Sequence, residues 1–188
     1  MSRNLILPAI CATALGLAAL SALLAGPVVP PAVAEGQQAS RSALAQVARF
    51  TRPDETLLVG GQPSAEDWAA LKRAGVRTVV NLRPDSELPG RDEAAEVAAA
   101  GLYYRHMPIA SRDDITIGNA QALWRLLDDA DAGVALHCAS GNRVGALLAL
   151  GAAQRGMDTE AAIAFGRAAG LGSAEARVRG LLEDRAGR

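Results

Sequence analysis

One short run gathers the residues of this chain best suited to covalent chemistry: His137, Cys138, Ala139, Ser140, Gly141, Asn142 and Arg143. A cysteine thiolate is a strong nucleophile, and arginine is a permanent, forked cation that fits a tetrahedral oxyanion. Cys138 follows an apolar run, residues 134–137, that reads as a buried strand, and an apolar helical pattern begins at Val144. The loop between them therefore lies at a helix N-terminus, where free backbone N–H groups and the helix dipole favour an anion. Gly141 admits backbone angles that let the N–H groups of residues 139–143 point inward as a nest. The same field favours the thiolate of Cys138. Anion cradle and activated nucleophile thus share one loop. His137 is expected to orient that loop through a hydrogen bond. Side chains of adjacent strand residues point to opposite faces, so His137 and Cys138 are poor joint ligands for a metal.

Competing chemistries find little support. There is no G-x-x-x-x-G-K-[ST] run for a nucleotide. Beyond residue 34, Cys138 is the only cysteine, which excludes an internal disulfide, a C-x-x-C redox pair and a thiolate metal cluster. His106 reads as a hydrogen-bonded sheet histidine. Neither a metal nor a cofactor is expected. A net charge of -1 and an aromatic content of 3% argue against nucleic acid as a partner, since neither a basic field nor stacking platforms are at hand.

The elements that must position the loop follow from hydrophobic pattern and turn chemistry. Strands are predicted over 57–59, 76–82, 102–109 and 134–137, where short apolar or β-branched runs are bounded by Gly or Pro. Helices are predicted over 41–48, 64–74, 91–100, 119–129, 144–155, 159–169 and 174–185. Ser64 is the expected N-cap of the second of these, with Glu66 and Asp67 in its first turn and Gly75 at its end. Strands alternating with helices imply an α/β fold: a small four-stranded sheet, parallel or mixed, covered by helices on both faces. Ligands of such sheets sit beyond the carboxyl ends of the strands. The loops to watch are therefore 60–64, 83–90, 110–118 and 138–143, and Arg83 is a further candidate for the bound anion.

GGQPSAEDWAALKRAGVRTVVNLRPDSE, followed at the correct separation by HCASGNR, resembles the bacterial phosphatase-like domain of the beta-lactamase-hydrolase-like proteins. That group lies within the tyrosine and dual-specificity phosphatase superfamily. The resemblance runs from about Leu57 to Leu171. Its loop has the form C-x-S-G-x-R, one residue shorter than that of the main superfamily, so the spacing here is a family trait. The resemblance implies a cysteine-phosphatase-like fold, with Cys138 as nucleophile, Arg143 as anion clamp and the N–H groups of residues 139–143 as cradle. It implies a general acid after the third strand, where Ala110 and Ser111 come first and then Asp113 and Asp114. Asp85, in the NLRPDSE run, is the rival. Two departures stand out: Ala139 replaces a frequently basic residue, and Val144 replaces the Ser or Thr whose hydroxyl assists release of the thiolate.

Three functions are compatible with this loop. The first is hydrolysis of a phosphate monoester, small or protein-borne, through a Cys138 thiolate. The second is sulfur transfer through a Cys138 persulfide, as in rhodaneses, whose loop is also short and whose sulfur leaving group needs less protonation. The third is a module that holds an oxyanion without turning it over; it would not need the cysteine.

The first 34 residues read as a signal peptide. Arg3 precedes an apolar stretch, 5–24, then Pro27, Pro30 and Pro31, then Ala32-Val33-Ala34 before Glu35. Residues 35–50 read as a polar lead-in and 51–188 as the catalytic domain, located in the periplasm or secreted. If the apolar segment stays uncleaved, it anchors the protein to the membrane, because it approaches the ~20 residues that span a bilayer.

Overall fold

The computed structural model describes residues 50–51, 53, 57–130 and 133–186. The segment 1–34 and the helix expected over 41–48 lie outside the described residues. No described helix is long and apolar enough to cross a membrane.

Five strands form one sheet: β1 (Phe50–Thr51), β2 (Leu57–Gly60), β3 (Thr78–Asn81), β4 (Tyr103–His106) and β5 (Val134–His137), in the order β1-β2-β5-β3-β4. β5 is central. Its apolar Val134-Ala135-Leu136 run is buried on both faces, as a parallel strand between two others requires. β2, β5, β3 and β4 are parallel, and β1 pairs antiparallel with β2. The sheet is therefore mixed and has one strand more than expected. β1 is only two residues long, too short for an alternating pattern to announce it.

Among the described residues six helices cover the sheet. α1 (Asp67–Arg73) and α2 (Glu93–Ala99) pack on one face, where Trp68, Leu71 and Val97 meet Leu58, Val79 and Ala135. α3 (Ile117–Asp128), α4 (Asn142–Gln154), α5 (Thr159–Ala168) and α6 (Glu175–Ala186) form the other layer. There Leu123, Leu147, Ile163 and Val178 share a core with Val59, Val80, Leu136 and Cys138. α4 is the buried spine of this layer: every residue from Val144 to Ala152 is buried. Fully burying Leu147, Leu148 and Leu150 stabilises the fold by about 2 kcal/mol each. Gly145 lets α5 approach α4, since a Cβ there would lie 2.5 Å from the Gly166 carbonyl oxygen.

Helix starts differ from expectation in instructive ways. Ser64 does not cap α1. Its own N–H donates to the Asp67 carboxylate (2.8 Å), the chain turns once more, and the helix begins at Asp67. α3 begins two residues early because Thr116 accepts from the N–H of Asn119 (3.1 Å) and caps it. α2 starts later than expected, behind an Asp92 cap. Past β4, Met107 and Ile109 continue to donate to Asn81 and Leu82, which carries the following loop across the top of the sheet.

Candidate active site

Parallel pairing brings the carboxyl ends of four strands together. His137 sits in register between Gly60 and Asn81, and Asn81 pairs with His106. The chain leaves each of these ends into the site.

The Cys138 loop is tied down on both sides. The N–H of Cys138 donates to the Gly60 carbonyl (3.3 Å), and the N–H of Gln62 to the Ala139 carbonyl (3.3 Å). A Cβ on Gly61 would come within 2.9 Å of that carbonyl oxygen, so the close approach needs glycine. Gly141 adopts the left-handed conformation (φ 89°) as N-cap of α4, which turns its N–H onto the Sγ of Cys138 at 3.1 Å. Cys138 itself is only 1% exposed, while Ala139 and Ser140 stand open at the rim. The Asn142 side chain points away from the loop: Oδ1 accepts from Gly172 and Ala174, and Nδ2 donates to Ser173. Asn142 thus anchors the loop to the turn between α5 and α6, leaving only its backbone for the cradle.

Arg143 is held from behind. Nη1 donates to Oε1 of Glu87 (2.9 Å) and to the Ile109 carbonyl (2.7 Å), and Nη2 to Oε2 of Glu87 (2.7 Å). A guanidinium has five N–H donors. The two not engaged by these bonds, Nε–H and one Nη2–H, lie on a single edge. Arg143 is raised above its ordinary value: the Glu87 hydrogen bond raises it, burial opposes this, and interaction with Cys138 adds to the rise. Glu87 is correspondingly lowered, first by the Arg143 hydrogen bond, against burial, with help from Arg83.

Arg83 meets the same carboxylate as Arg143. It donates to the Glu87 carboxylate (3.1 Å), to Oε1 of Gln62 (2.6 Å) and to the Glu87 carbonyl. Gln62 in turn donates to Glu93. Oε1 of Glu93 accepts from Nε2–H of His137 (2.9 Å), and both side chains are buried. Burial pushes Glu93 up, but hydrogen bonds from His137 and Gln62, together with the nearby charges, outweigh it and leave Glu93 lowered. One continuous chain of contacts, His137–Glu93–Gln62–Arg83–Glu87–Arg143, therefore joins the two ends of the Cys138 loop. His137 also packs against Trp68, with ring centroids 6.2 Å apart, and its Nδ1 has no hydrogen-bond partner among the described residues. His106 donates from Nε2 to the Arg83 carbonyl (2.7 Å).

The three aspartates are not equivalent. Asp114 accepts from the N–H and hydroxyl of Ser111 (2.7 and 3.1 Å), and these bonds hold it below the usual carboxylate range. A carboxylate so held is a poor proton donor. Asp85, in a single 3-10 turn (Asp85–Glu87), is 96% exposed and lies 3.8 Å from Nδ1 of His106. Asp113 is exposed and has only its backbone N–H engaged, by Ser111. Its loop is fastened to the site by the bond from Arg143 to Ile109 and by Ile109 and Ile115, which share a core with Cys138. Among the described residues no group of three His, Cys, Asp or Glu side chains could hold a metal.

Sequence reasoning does not single out Glu87, Glu93 or Gln62. Glu87 carried a local signal, standing four residues after Arg83 in one polar turn. Glu93 and Gln62 carried none: they become neighbours only through the fold.

Sheet order, buried α4 and the cysteine loop at its N-terminus define the tyrosine-phosphatase-like α/β class. The structure of the Neisseria meningitidis nma1982 protein superposes with a TM-score of 0.61 at 24% identity, over 70% of this chain and 96% of that one. P. aeruginosa TpbA, solved in complex with pTyr, gives 0.56 at 25% identity, over 73% and 90%. Within that class the chain belongs to the family of the beta-lactamase hydrolase-like protein phosphatase-like domain, whose model matches residues 48–155. Relatives include the beta-lactamase hydrolase-like proteins of Xylella fastidiosa strain 9a5c (37% identical over 106 residues, 54% of this chain and 24% of the relative) and Agrobacterium fabrum (33% over 112 residues, 57% and 26%). The chain thus spans about a quarter of the length of these curated relatives.

Proposed function

We propose that the protein is a cysteine-dependent hydrolase of phosphate monoesters, aryl phosphates such as phosphotyrosine among them. The observation that carries this reading is Arg143. Glu87 and Ile109 hold one side of its guanidinium, leaving an edge with two parallel donors in the neighbourhood of Cys138. Two parallel N–H donors match two oxygens of a phosphoryl group. The N–H of Gly141 on Sγ supplies a donor from the cradle, and the complex of TpbA with pTyr shows that a relative of this fold takes an aryl phosphate.

In the first step Cys138 Sγ attacks phosphorus, the P–O bond to the leaving alcohol breaks, and Asp113 gives that oxygen its proton. In the second step water attacks the phosphocysteine, Asp113 takes the proton back, the S–P bond breaks and inorganic phosphate leaves. Asp113 is preferred over Asp114, which Ser111 occupies, and over Asp85, which is turned to solvent beside His106. Val144, fully buried, offers no hydroxyl to the departing thiolate.

A second reading, sulfur transfer through a Cys138 persulfide, is favoured by one observation. The Asp114 carboxylate is tied locally, and Asp113 and Asp85 are exposed, so no acid is fixed at the loop. A sulfur leaving group does not need one. The deciding experiment measures kcat/KM of the purified protein and its Cys138→Ser and Asp113→Asn variants on an alkyl phosphate, an aryl phosphate, and thiosulfate with cyanide. The phosphatase reading expects no turnover with Cys138→Ser. It also expects Asp113→Asn to lose about 100-fold on the alkyl phosphate and far less on the aryl phosphate. Thiocyanate formation without phosphate release establishes sulfur transfer instead.

Export is part of the same proposal, supported by the apolar segment 5–24 and the Ala32-Val33-Ala34 site. N-terminal sequencing of the protein from its host tests it: a mature start at Glu35 is expected, and an intact Met1 in a soluble fraction overturns it.

A further inference from the structure

We propose that the open edge of β4 is a docking site for an extended acidic segment of a partner protein, which adds to the sheet as a further strand. β4 ends the sheet, and its residues are largely exposed. Tyr103 donates to Arg77 and Met107 to Asn81, so the alternate residues Tyr104 and His106 turn their backbone N–H and C=O groups outward. Such a row is a ready template for another strand.

The side chains flanking this edge select what can pair with it. Tyr103 and Arg105 project to the α3 side. There a cleft of about 590 Å³ opens between β4 and α3, lined by Arg77, Tyr103, Arg105, Arg125 and, as the one carboxylate among the described residues, Asp129. Six other arginines, Arg83, Arg91, Arg143, Arg155, Arg167 and Arg179, each sit on an Asp or Glu, whereas Arg177 donates to the Ile115 carbonyl. Arg77, Arg105 and Arg125 have no such partner among the described residues, although the whole chain carries a net charge of -1. Three unpaired cations converging on one cleft raise the local potential for an anionic partner. Tyr103, 69% exposed, adds a flat aromatic surface beside them. Arginines serving only to block strand pairing would not need to gather on one face.

The opposite face of the same edge reads differently. Tyr104 and His106 line a second cleft of about 480 Å³ together with Asp85 and Asp92. A strand laid along β4 presents alternate side chains to the two clefts. The edge therefore calls for acidic residues at every second position and uncharged ones between. A lipid surface offers no backbone for Tyr104 and His106 to pair with, which is why a peptide is the occupant that fits both features.

The test uses the full chain and a fluorescein-labelled nine-residue peptide alternating Glu and Val, read by anisotropy. A micromolar Kd is expected, weakened about tenfold by Arg105→Glu and separately by Arg125→Glu, each variant retaining its circular dichroism and aryl phosphate turnover. A peptide N-methylated at every residue should lose binding in either strand direction, because it keeps the charges but cannot complete the ladder. A Lys/Val peptide should not bind. No binding of the Glu/Val peptide overturns the proposal, as does equal binding of the N-methylated peptide or indifference to both arginine variants. Tighter binding to phosphatidylglycerol vesicles than to the peptide assigns the arginines to a membrane instead and equally overturns it. The binding readouts and the circular dichroism do not depend on which reaction Cys138 performs; aryl phosphate turnover serves only as a control under the phosphatase reading.

Discussion

Arginine gathers at two places around the sheet, and the two groups are held differently. Arg83 and Arg143 converge on one carboxylate, Glu87, at the carboxyl ends of the strands. Arg77, Arg105 and Arg125 surround the cleft beside β4 with no carboxylate bound to them among the described residues. The first group has its charge largely answered and its geometry fixed. The second has charge to spare and no fixed geometry. A transition state needs donors already in place, since reorganising them at the moment of reaction raises the barrier. A docking surface needs attraction over distance more than fixed orientation. What partners an arginine, more than its presence, separates the two roles.

The largest expected effect breaks the geometry of the first group without removing its charge. Lysine at position 143 keeps a cation but cannot hold Glu87 with two donors and still present two to a phosphoryl group. Arg143→Lys should lower kcat/KM on an aryl phosphate about 100-fold or more. A loss below tenfold would mean that charge alone suffices and that the Glu87 clamp has no catalytic consequence. Glu87→Gln comes next. It keeps one acceptor and removes the charge that fixes the guanidinium, so kcat/KM should fall about tenfold, with kcat affected more than KM, because the ground state tolerates a looser arginine better than the transition state does. An equal loss in Arg83→Gln would show that both arms of the Arg83–Glu87–Arg143 contact fix Arg143.

How far the sequence reveals these groups depends on the range over which each is built. β5 is legible to the residue because Val134-Ala135-Leu136 is apolar throughout and the loop chemistry starts at once behind it. The Cys138–Arg143 loop is legible because nucleophile, glycine and cation are all local. The clamp behind it is not: Glu87 lies 56 positions from Arg143, and Glu93 lies 44 from His137. Glu93 even misleads, since a glutamate at the start of a helix normally reads as a solvated N-terminal charge, whereas here it is buried against His137. Ser64 fails for a local reason: Asp67, three residues on, competes for the same turn and takes the Ser64 N–H itself. Asn142 is placed correctly in the loop, but its side chain answers Gly172 and Ala174, which pattern alone does not bring near.

A smaller effect sharpens the account of the buried end of the clamp. Glu93 is lowered in the folded protein, so its ionised form contributes stability that is present above the unfolded value of 4.5 and lost as pH falls through the folded one. Glu93→Gln should therefore melt lower than the wild type at pH 7, and the gap should narrow as pH falls below 4.5, where the unfolded wild type protonates first, and level off below the lowered folded value, where both states are protonated. A gap that stays constant to pH 3 would mean that shape, not charge, holds His137. Because the clamp runs from Glu93 through Gln62 and Arg83 to Glu87, the same variant should slow aryl phosphate turnover by a few-fold at pH 7. Gln62→Ala should do likewise with less loss of stability.

The smallest expected effect tests the other arginine group. Arg125 lies in the last turn of α3, where a cation meets the negative end of the helix dipole, and it has no carboxylate partner among the described residues. Exposed and unpaired, it holds no element in place. Arg125→Gln should lower the melting temperature by no more than a few degrees and leave kcat/KM on aryl phosphate within about twofold, since it touches none of the contacts that fix Arg143. Its effect should appear in the salt dependence of peptide docking. Removing one attractive charge flattens the fall of affinity with ionic strength, because exposed charges are screened beyond about a Debye length, ~10 Å at 0.1 M. The measurement is anisotropy of the Glu/Val peptide between low and high salt for wild type and Arg125→Gln. Parallel salt curves would place Arg125 outside the docking field and reduce the cleft to Arg77 and Arg105. A loss of turnover as large as that of Glu87→Gln would join the two arginine groups into one and dissolve the distinction between fixed and available charge.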